Sequence, residues 1–260
     1  MTVIATPVHN KYDHISYLLA CDVTGEALAL DPFDVELTLR VAADHKLSIT
    51  QILSTHEHWD HAGRNEQVRG ATGARVLACK WAAGMIEHLD GYLVEGDVVQ
   101  VGNSLSLEVI ETPGHTMTHI CLLGTDGDEP FLLSGDTLFG AGVGNCNFGG
   151  HAPTLYHTVS KLLARLAPDT RIYPGHDYLR RNLEFALTLE PENPAIHELR
   201  AAIDSDVDKL RFTNVAEELA VNPFMRLESS AIRKSLSGQE TSELVGEAAF
   251  LEIRTRRDAW

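Results

Sequence analysis

The stretch Ser54-Thr55-His56-Glu57-His58-Trp59-Asp60-His61-Ala62-Gly63 sets three histidines and an aspartate into six positions of a 260-residue chain. Imidazole and carboxylate are the usual ligands of zinc and other borderline divalent ions. The helical zinc-protease pattern needs histidines four apart, and position 60 is aspartate, so that reading fails. A spacing of two suits extended backbone, on which residues 56 and 58 project to one side. Asp60 and His61 then fall where the chain turns through Ala62 and Gly63 into a short helix. Four ligands from so short a loop rarely all reach one ion, which points to two adjacent ions. A merely solvated loop has no physical need for this many metal-ligating groups.

Working outward, the apolar run at 49–53 delivers His56 just past its end, and three other runs end the same way. Residues 107–114 deliver His115, 130–135 deliver Asp136, and 171–175 deliver His176, each with glycine immediately before the polar residue. Polar residues just past neighbouring strands converge on one edge of a sheet, where open α/β architectures place their sites. The glycines let backbone approach a crowded centre closely. Strand patterns fall at 15–20, 27–30, 49–53, 74–78, 97–101, 105–110, 119–123, 130–133 and 171–173, and helical ones at 33–47, 80–89 and 155–166. Beyond residue 177 helical patterns take over, interrupted by Pro191, Pro194 and Pro223. The expected organisation is a mixed α/β body over 1–177 and a helical unit over 178–260.

Composition bounds the function class. Apolar residues make up 44% and charged residues 22%, the profile of a globular protein that buries a sizeable core. The formal net charge of -16 repels nucleic acid and anionic membranes, so neither is an expected partner. No apolar run is long enough to cross a membrane, and the first ten residues lack the basic and apolar regions of a signal peptide. Cysteines at 21, 79, 121 and 146 are too scattered for a disulfide framework or a paired zinc site, which fits a reducing cytoplasm. No Gly-x-Ser-x-Gly elbow supplies a serine nucleophile, leaving metal-activated water as the best one.

These motifs resemble the metallo-β-lactamase superfamily, whose H-x-H-x-D-H signature is His56 to His61, followed by His115, Asp136 and His176. Within it the chain is similar to glyoxalase II, the hydroxyacylglutathione hydrolases, over nearly its whole length. The narrower likeness rests on the first motif with Gly135-Asp-Thr-Leu-Phe139, Gly175-His-Asp-Tyr178-Leu-Arg-Arg-Asn-Leu183, Glu190-Pro-Glu-Asn193 and Asn222-Pro-Phe-Met-Arg226. The resemblance implies an αββα sandwich with a C-terminal helical domain that helps bind glutathione. It also implies two divalent ions, zinc first, with iron or manganese compatible. His56, His58 and His115 would hold one, Asp60, His61 and His176 the other, and Asp136 would bridge them. The implied reaction is hydrolysis of S-D-lactoylglutathione, a step of methylglyoxal detoxification, by a monomeric cytoplasmic enzyme. In it a metal-bridging hydroxide attacks the thioester, and Asp60 orients that hydroxide or accepts its proton.

The substrate side rests on fewer residues. By resemblance Tyr178, Arg254 and Arg257 contact glutathione, and 254–257 is a basic spot in an anionic chain. The loop Gly142-Val-Gly-Asn-Cys-Asn-Phe148-Gly-Gly150 departs from the family's Gly-Cys-Gly-basic pattern. It is about one residue longer, with Asn145 at the basic position and Phe148 in place of the aromatic. That departure leaves room for another acyl-thiol or a lactone. The nearest rival is a persulfide dioxygenase with one iron on His56, His115 and Asp136, and the motifs after His176 argue against it. A scaffold that has lost catalysis is disfavoured because all seven ligand positions are filled. Trp59 is expected to pack beneath the ligand loop. His9, His14, His45, His88, His119, His151, His157 and His197 are expected at the surface or satisfied within the core.

Overall fold

The computed structural model describes residues 2–8, 13–205, 209–237 and 244–260; His9 lies outside them. Along β2 (His14–Ala20) successive side chains face opposite ways. Ile15, Tyr17 and Leu19 therefore enter one apolar cluster while Leu18 enters another on the reverse face. β2 pairs antiparallel with β1 (Thr2–Val8) and with β3 (Glu26–Leu30). β4 (Ser48–Ser54), β5 (Arg75–Cys79) and β6 (Gly91–Leu93) then add in parallel, giving a sheet in simple sequence order. β1 had no counterpart among the sequence expectations, because Thr2 to Val8 carries a proline and weak alternation. Helices α1 (Val35–Asp44) and α3 (Asn65–Thr72) cover the outer face, where Ala42 and Val68 meet Leu18, Ile52 and Val76. Asp34 caps α1 by accepting from the Leu37 amide, and Gly73 ends α3 in the left-handed region.

The second sheet has the order β13 (Arg171–Pro174), β10 (Glu129–Gly135), β9 (Ile120–Asp126), β8 (Leu105–Glu111), β7 (Val98–Val101). Only the β13–β10 pair is parallel. Leu105, Leu107 and Val109 point into the cluster shared with the first sheet, whereas Ile110, Cys121, Leu132 and Ile172 face outward. Helix α4 (Ala152–Arg165) covers that outer face through Leu155, Val159 and Leu162. Two sheets face to face with helices outside both give the expected αββα sandwich.

Beyond β13 every described element is helical: α5 (Leu179–Leu189), α6 (Pro194–Asp204), α7 (Val215–Val221), α8 (Ser230–Ser237) and α9 (Gly246–Ala259). This tail has a small cluster around Leu183, Ile196 and Val221, which Ala141 of the sandwich joins. Phe185, Phe224, Ile232 and Phe250 instead join the cluster of α4 and the second sheet. One expected helix is absent. Residues 80–89 form a single 3-10 turn at Lys80–Ala82, because Gly84 adopts a φ of 86° and breaks the helical path. Ala82 and Ile86 still reach the core, while Trp81 and Met85 stand exposed.

Candidate metal centre

Four strand ends deliver the candidate ligands. β4 leads into Thr55 and His56; His58 precedes the one-turn helix α2 (Trp59–Ala62), which carries Asp60 and His61. β8 leads to His115, β10 to Asp136 and β13 to His176. The β10–β13 ladder skips Ser134, so Gly135 opposes Pro174, and Asp136 and His176 emerge side by side. The glycine at 175 is sterically required, since a Cβ there would lie 2.5 Å from Asp136 Oδ1 and 2.9 Å from His61 Cε1. Gly135 combines a φ of 46° with similar crowding by His119 and Thr55.

The donor atoms fall into two sets. In the first, His56 Nε2 lies 2.9 Å from His58 Nδ1, which lies 3.1 Å from His115 Nε2. In the second, His61 Nε2 is 3.3 Å from His176 Nε2, and Asp60 Oδ2 is 3.5 Å from His176 Nε2. Asp136 stands between them, its Oδ2 3.4 Å from both His115 Nε2 and His176 Nε2, and its Oδ1 3.4 Å from His61 Nε2. A tetrahedral ion with bonds of about 2.0–2.1 Å holds its ligand atoms about 3.3–3.4 Å apart. The His61–His176 gap and the three to Asp136 match that edge, while the first set is drawn tighter and Asp60 Oδ2 stands 4.0 Å from His61 Nε2.

The hydrogen bonds on the far side of each ring decide what faces inward. His115 Nδ1–H donates to the Asn145 carbonyl at 2.7 Å, and His58 Nε2–H donates to the Phe148 carbonyl at 2.9 Å. Thr55 gives its hydroxyl proton to Asp31 Oδ2, so its oxygen is left to accept from His56 Nδ1–H at 3.1 Å. His61 Nδ1–H donates to Asp31 Oδ2 at 2.8 Å. The inward nitrogens of His56, His58 and His115 are therefore lone pairs, that of His58 lying within about a hydrogen bond's length of the other two. Lone pairs at such distances repel unless a cation lies among them. Burial, more than neighbouring histidines, keeps His56 and His115 neutral by pushing their pKa values down.

Asp136 makes the same demand. Its Oδ1 is buried without a hydrogen-bond partner. Burial works against its ionisation, yet His176 and His61 hold the carboxyl well below its ordinary value. Burial likewise opposes charge on His61, but Asp136 and Asp31 raise its pKa well above the usual range. Carboxylates this buried call for positive charge at the centre, and the donor set of nitrogens and carboxylate oxygens fits divalent ions. Asp60, with a side chain 22% exposed, is the most solvent-accessible of the acids here.

Asp31 was missed in the sequence, where it reads only as the turn after β3. The rule that found the other residues, a polar side chain just past an apolar strand, would have found it. It is buried, accepts from the Thr55 amide at 2.8 Å and hydroxyl at 2.7 Å, and fixes the His61 ring. His119 is a satisfied core histidine, accepting from the Asp136 amide at 3.0 Å. His14 departs from expectation: it is fully buried, and its Nδ1 has no partner.

Around the centre, the expected substrate residues divide. Tyr178 stacks on the His176 ring, with centroids 5.0 Å apart. Arg257 is half-buried against Phe185 and Trp260, donates to Asn182 Oδ1 at 3.1 Å, and has no ion pair among the described residues. Burial first, then Arg181 and Arg254, lower its pKa to about 10. Arg254 corrects the expectation. It is buried, and its guanidinium donates to the Val143 and Gly144 carbonyls at 3.0 and 3.2 Å and to Asp258. These bonds tie it to the 142–150 loop, while its Nε is buried without a hydrogen-bond partner. Asn145 and Phe148 act on the centre through their carbonyls; the Asn145 side chain accepts from the Asn147 amide, and the Phe148 ring is 72% exposed. Trp59 is a second correction. It stands 54% exposed at the rim, wedged against Phe33 and beneath Arg64, because α2 turns it outward as it turns His61 in.

Comparison with known proteins agrees with this geometry. Residues 20–176 match the metallo-beta-lactamase superfamily model, and residues 177–260 match the hydroxyacylglutathione hydrolase C-terminus. The chain is 44% identical over 256 residues to a hydroxyacylglutathione hydrolase of Polaromonas sp., covering 96% of this chain and 97% of that one. It is 35% identical to the cytoplasmic hydroxyacylglutathione hydrolase of Arabidopsis thaliana, covering 95% of each. Among solved structures, ETHE1 from Myxococcus xanthus superposes with a TM-score of 0.67 at 25% identity, covering 98% of this chain and 99% of that one. No helix among the described residues is long and apolar enough to cross a membrane. With its ligand loop, its two facing donor sets and its helical tail matched along the whole length, the chain belongs to the metallo-β-lactamase superfamily and, within it, to the hydroxyacylglutathione hydrolases.

Proposed function

We propose that the chain hydrolyses 2-hydroxyacylglutathione thioesters, S-D-lactoylglutathione foremost, to glutathione and a 2-hydroxy acid. The carrying observation is the pair of facing donor sets joined by Asp136, whose Oδ1 is buried without a hydrogen-bond partner. On this reading His56, His58 and His115 hold one ion, Asp60, His61 and His176 the other, and Asp136 bridges, with zinc the metal that best suits the donors. Two divalent ions, when bound, acidify a water near neutral pH and polarise the acyl carbonyl. Asp60, the acid open to solvent, orients the attacking water and takes its proton. Water adds its oxygen to the acyl carbon, the C–S bond breaks, and the proton ends on the thiol. A thiolate leaves without a strong general acid, so no further proton donor is required beside Asp60.

Residues 1–177 carry the chemistry and 178–260 the grip on the thiol. Tyr178 lies against His176 and meets the thioester end, while Arg257 offers a cation to a peptide carboxylate of glutathione. The Phe148 ring supplies an apolar wall at the rim. A one-iron dioxygenase would use His56, His115 and Asp136 and leave the second set without a purpose.

Metal analysis beside a thioesterase assay on S-D-lactoylglutathione tests the reading. Two ions per chain are expected, with Asp60→Asn lowering kcat about 10²–10⁴-fold and leaving KM nearly unchanged. One ion per chain with His61 and His176 dispensable, or oxygen uptake on glutathione persulfide without thioesterase activity, would overturn it.

A further inference from the structure

His14 lies at the first position of β2, and its backbone bridges that of His176. The Ile15 amide donates to Gly175 and the Asp177 amide to Asp13, both at 2.8 Å, so residue 14 is held beside the second donor set from both sides. Its ring meets those of His61 and His176 edge to face, with centroids 4.8 and 5.2 Å away. Of its two nitrogens, Nε2 lies 3.0 Å from the Asp31 carbonyl. A carbonyl can only accept, so Nε2 carries the proton and Nδ1 presents a lone pair. That Nδ1 is buried and unpartnered, a costly state for a polar atom. His58 is built the same way, with Nε2–H on a main-chain carbonyl and Nδ1 turned to its set. A ring nitrogen of His14 and the donors of Asp60, His61 and His176 all lie within 4.8 Å of one another.

We infer that His14 is an additional nitrogen donor to the ion held by Asp60, His61 and His176. The inference rests on the two-ion reading above and deepens it. With the bridging Asp136, that ion would be five-coordinate from protein atoms, whereas the first set supplies only three histidines and the same bridge. The two sites then differ in coordination number, and the second favours iron, manganese or cobalt over zinc relative to the first.

Cobalt(II) titrated into the metal-free full-length protein reports both sites. Wild type is expected to bind two ions, the weak absorption of a high-coordinate ion adding to the strong bands of a tetrahedral one. His14→Asn is expected to keep the first ion, lose at least about tenfold in affinity for the second, and gain band intensity as its coordination number drops. The retained first ion shows that the variant is folded. Proton NMR of unsubstituted cobalt protein gives an independent check that needs no variant. It should show one exchangeable, hyperfine-shifted ring N–H beyond those of His56, His58, His61, His115 and His176. A wild type that binds one ion would overturn the two-ion reading. A two-ion wild type with no such extra resonance would overturn the His14 inference alone. So would a His14→Asn variant with unchanged second-ion affinity and spectrum.

Discussion

Arg254 and Arg257 lie one turn apart on α9, and their surroundings separate two kinds of defect. Arg254 spends its donors on the Val143 and Gly144 carbonyls, in the same loop whose Asn145 and Phe148 carbonyls set the His115 and His58 rings. Arg254→Ala should therefore loosen the first metal set, lowering kcat and metal retention together. Arg257 has no such tie, and its loss removes a charge-assisted contact worth about 1.5–3 kcal/mol to the thiol moiety. Arg257→Ala should raise KM for S-D-lactoylglutathione by about 10–150-fold with a smaller effect on kcat, and added salt should mimic the defect in the wild type. Steady-state kinetics with metal analysis of both variants checks the split; equal KM defects would return Arg254 to the substrate. The family resemblance placed both arginines near the substrate. It could not show that one is buried against the loop, since that depends on α9 bringing Arg254 to the Val143 carbonyl of β12 (Gly142–Val143).

The ligand elements were legible because strand alternation and the polar residue past each strand end are both local in sequence. The 80–89 segment was not, because its apolar spacing reads as helical while Gly84 takes a backbone angle that helices do not use. The reason for each glycine was also hidden, since crowding is a property of the assembled strands. Gly175 and Gly70 put this to the test. A Cβ at Gly175 would meet Asp136 and His61, whereas one at Gly70, exposed on α3, meets nothing within 4 Å. Gly175→Ala is expected to cost about 1–3 kcal/mol and most of the metal affinity, because the two elements that pinch there carry ligands. Gly70→Ala should stabilise by about 0.5–1 kcal/mol through helix propensity, with metal content unchanged. Thermal melts and metal analysis read both, and a Gly175→Ala protein with full metal content would show that the strand ends have more slack than their packing implies.

At the scale of the whole molecule, one buried carboxylate ties the helical tail to the sandwich. Glu218 on α7 is fully buried and accepts the Ala141 amide, just beyond β11 (Leu138–Phe139), through both oxygens at 3.0 Å. Asn222, from one of the motifs that carry the family resemblance, donates to Glu218 at 2.8 Å and to the Gly142 carbonyl at 3.1 Å. Burial, only partly offset by these donors and by Thr213, raises the Glu218 pKa from 4.5 to about 7. Because the folded pKa lies above the unfolded one, the folded state binds the extra proton between those values. Stability from this group is thus full below pH of about 4.5 and declines as pH rises through about 7. The shift corresponds to about 3 kcal/mol once both states are ionised. Glu218→Gln removes the titration while keeping a polar group against Ala141. Urea unfolding of wild type and variant at pH 5 and pH 8 isolates the effect, because the other titrating groups, the metal ligands included, cancel in the difference. The stability of wild type relative to variant should fall by about 2–3 kcal/mol from the lower to the higher pH. A difference that stays constant would mean that Glu218 is ionised throughout, with its donors and not its burial in control.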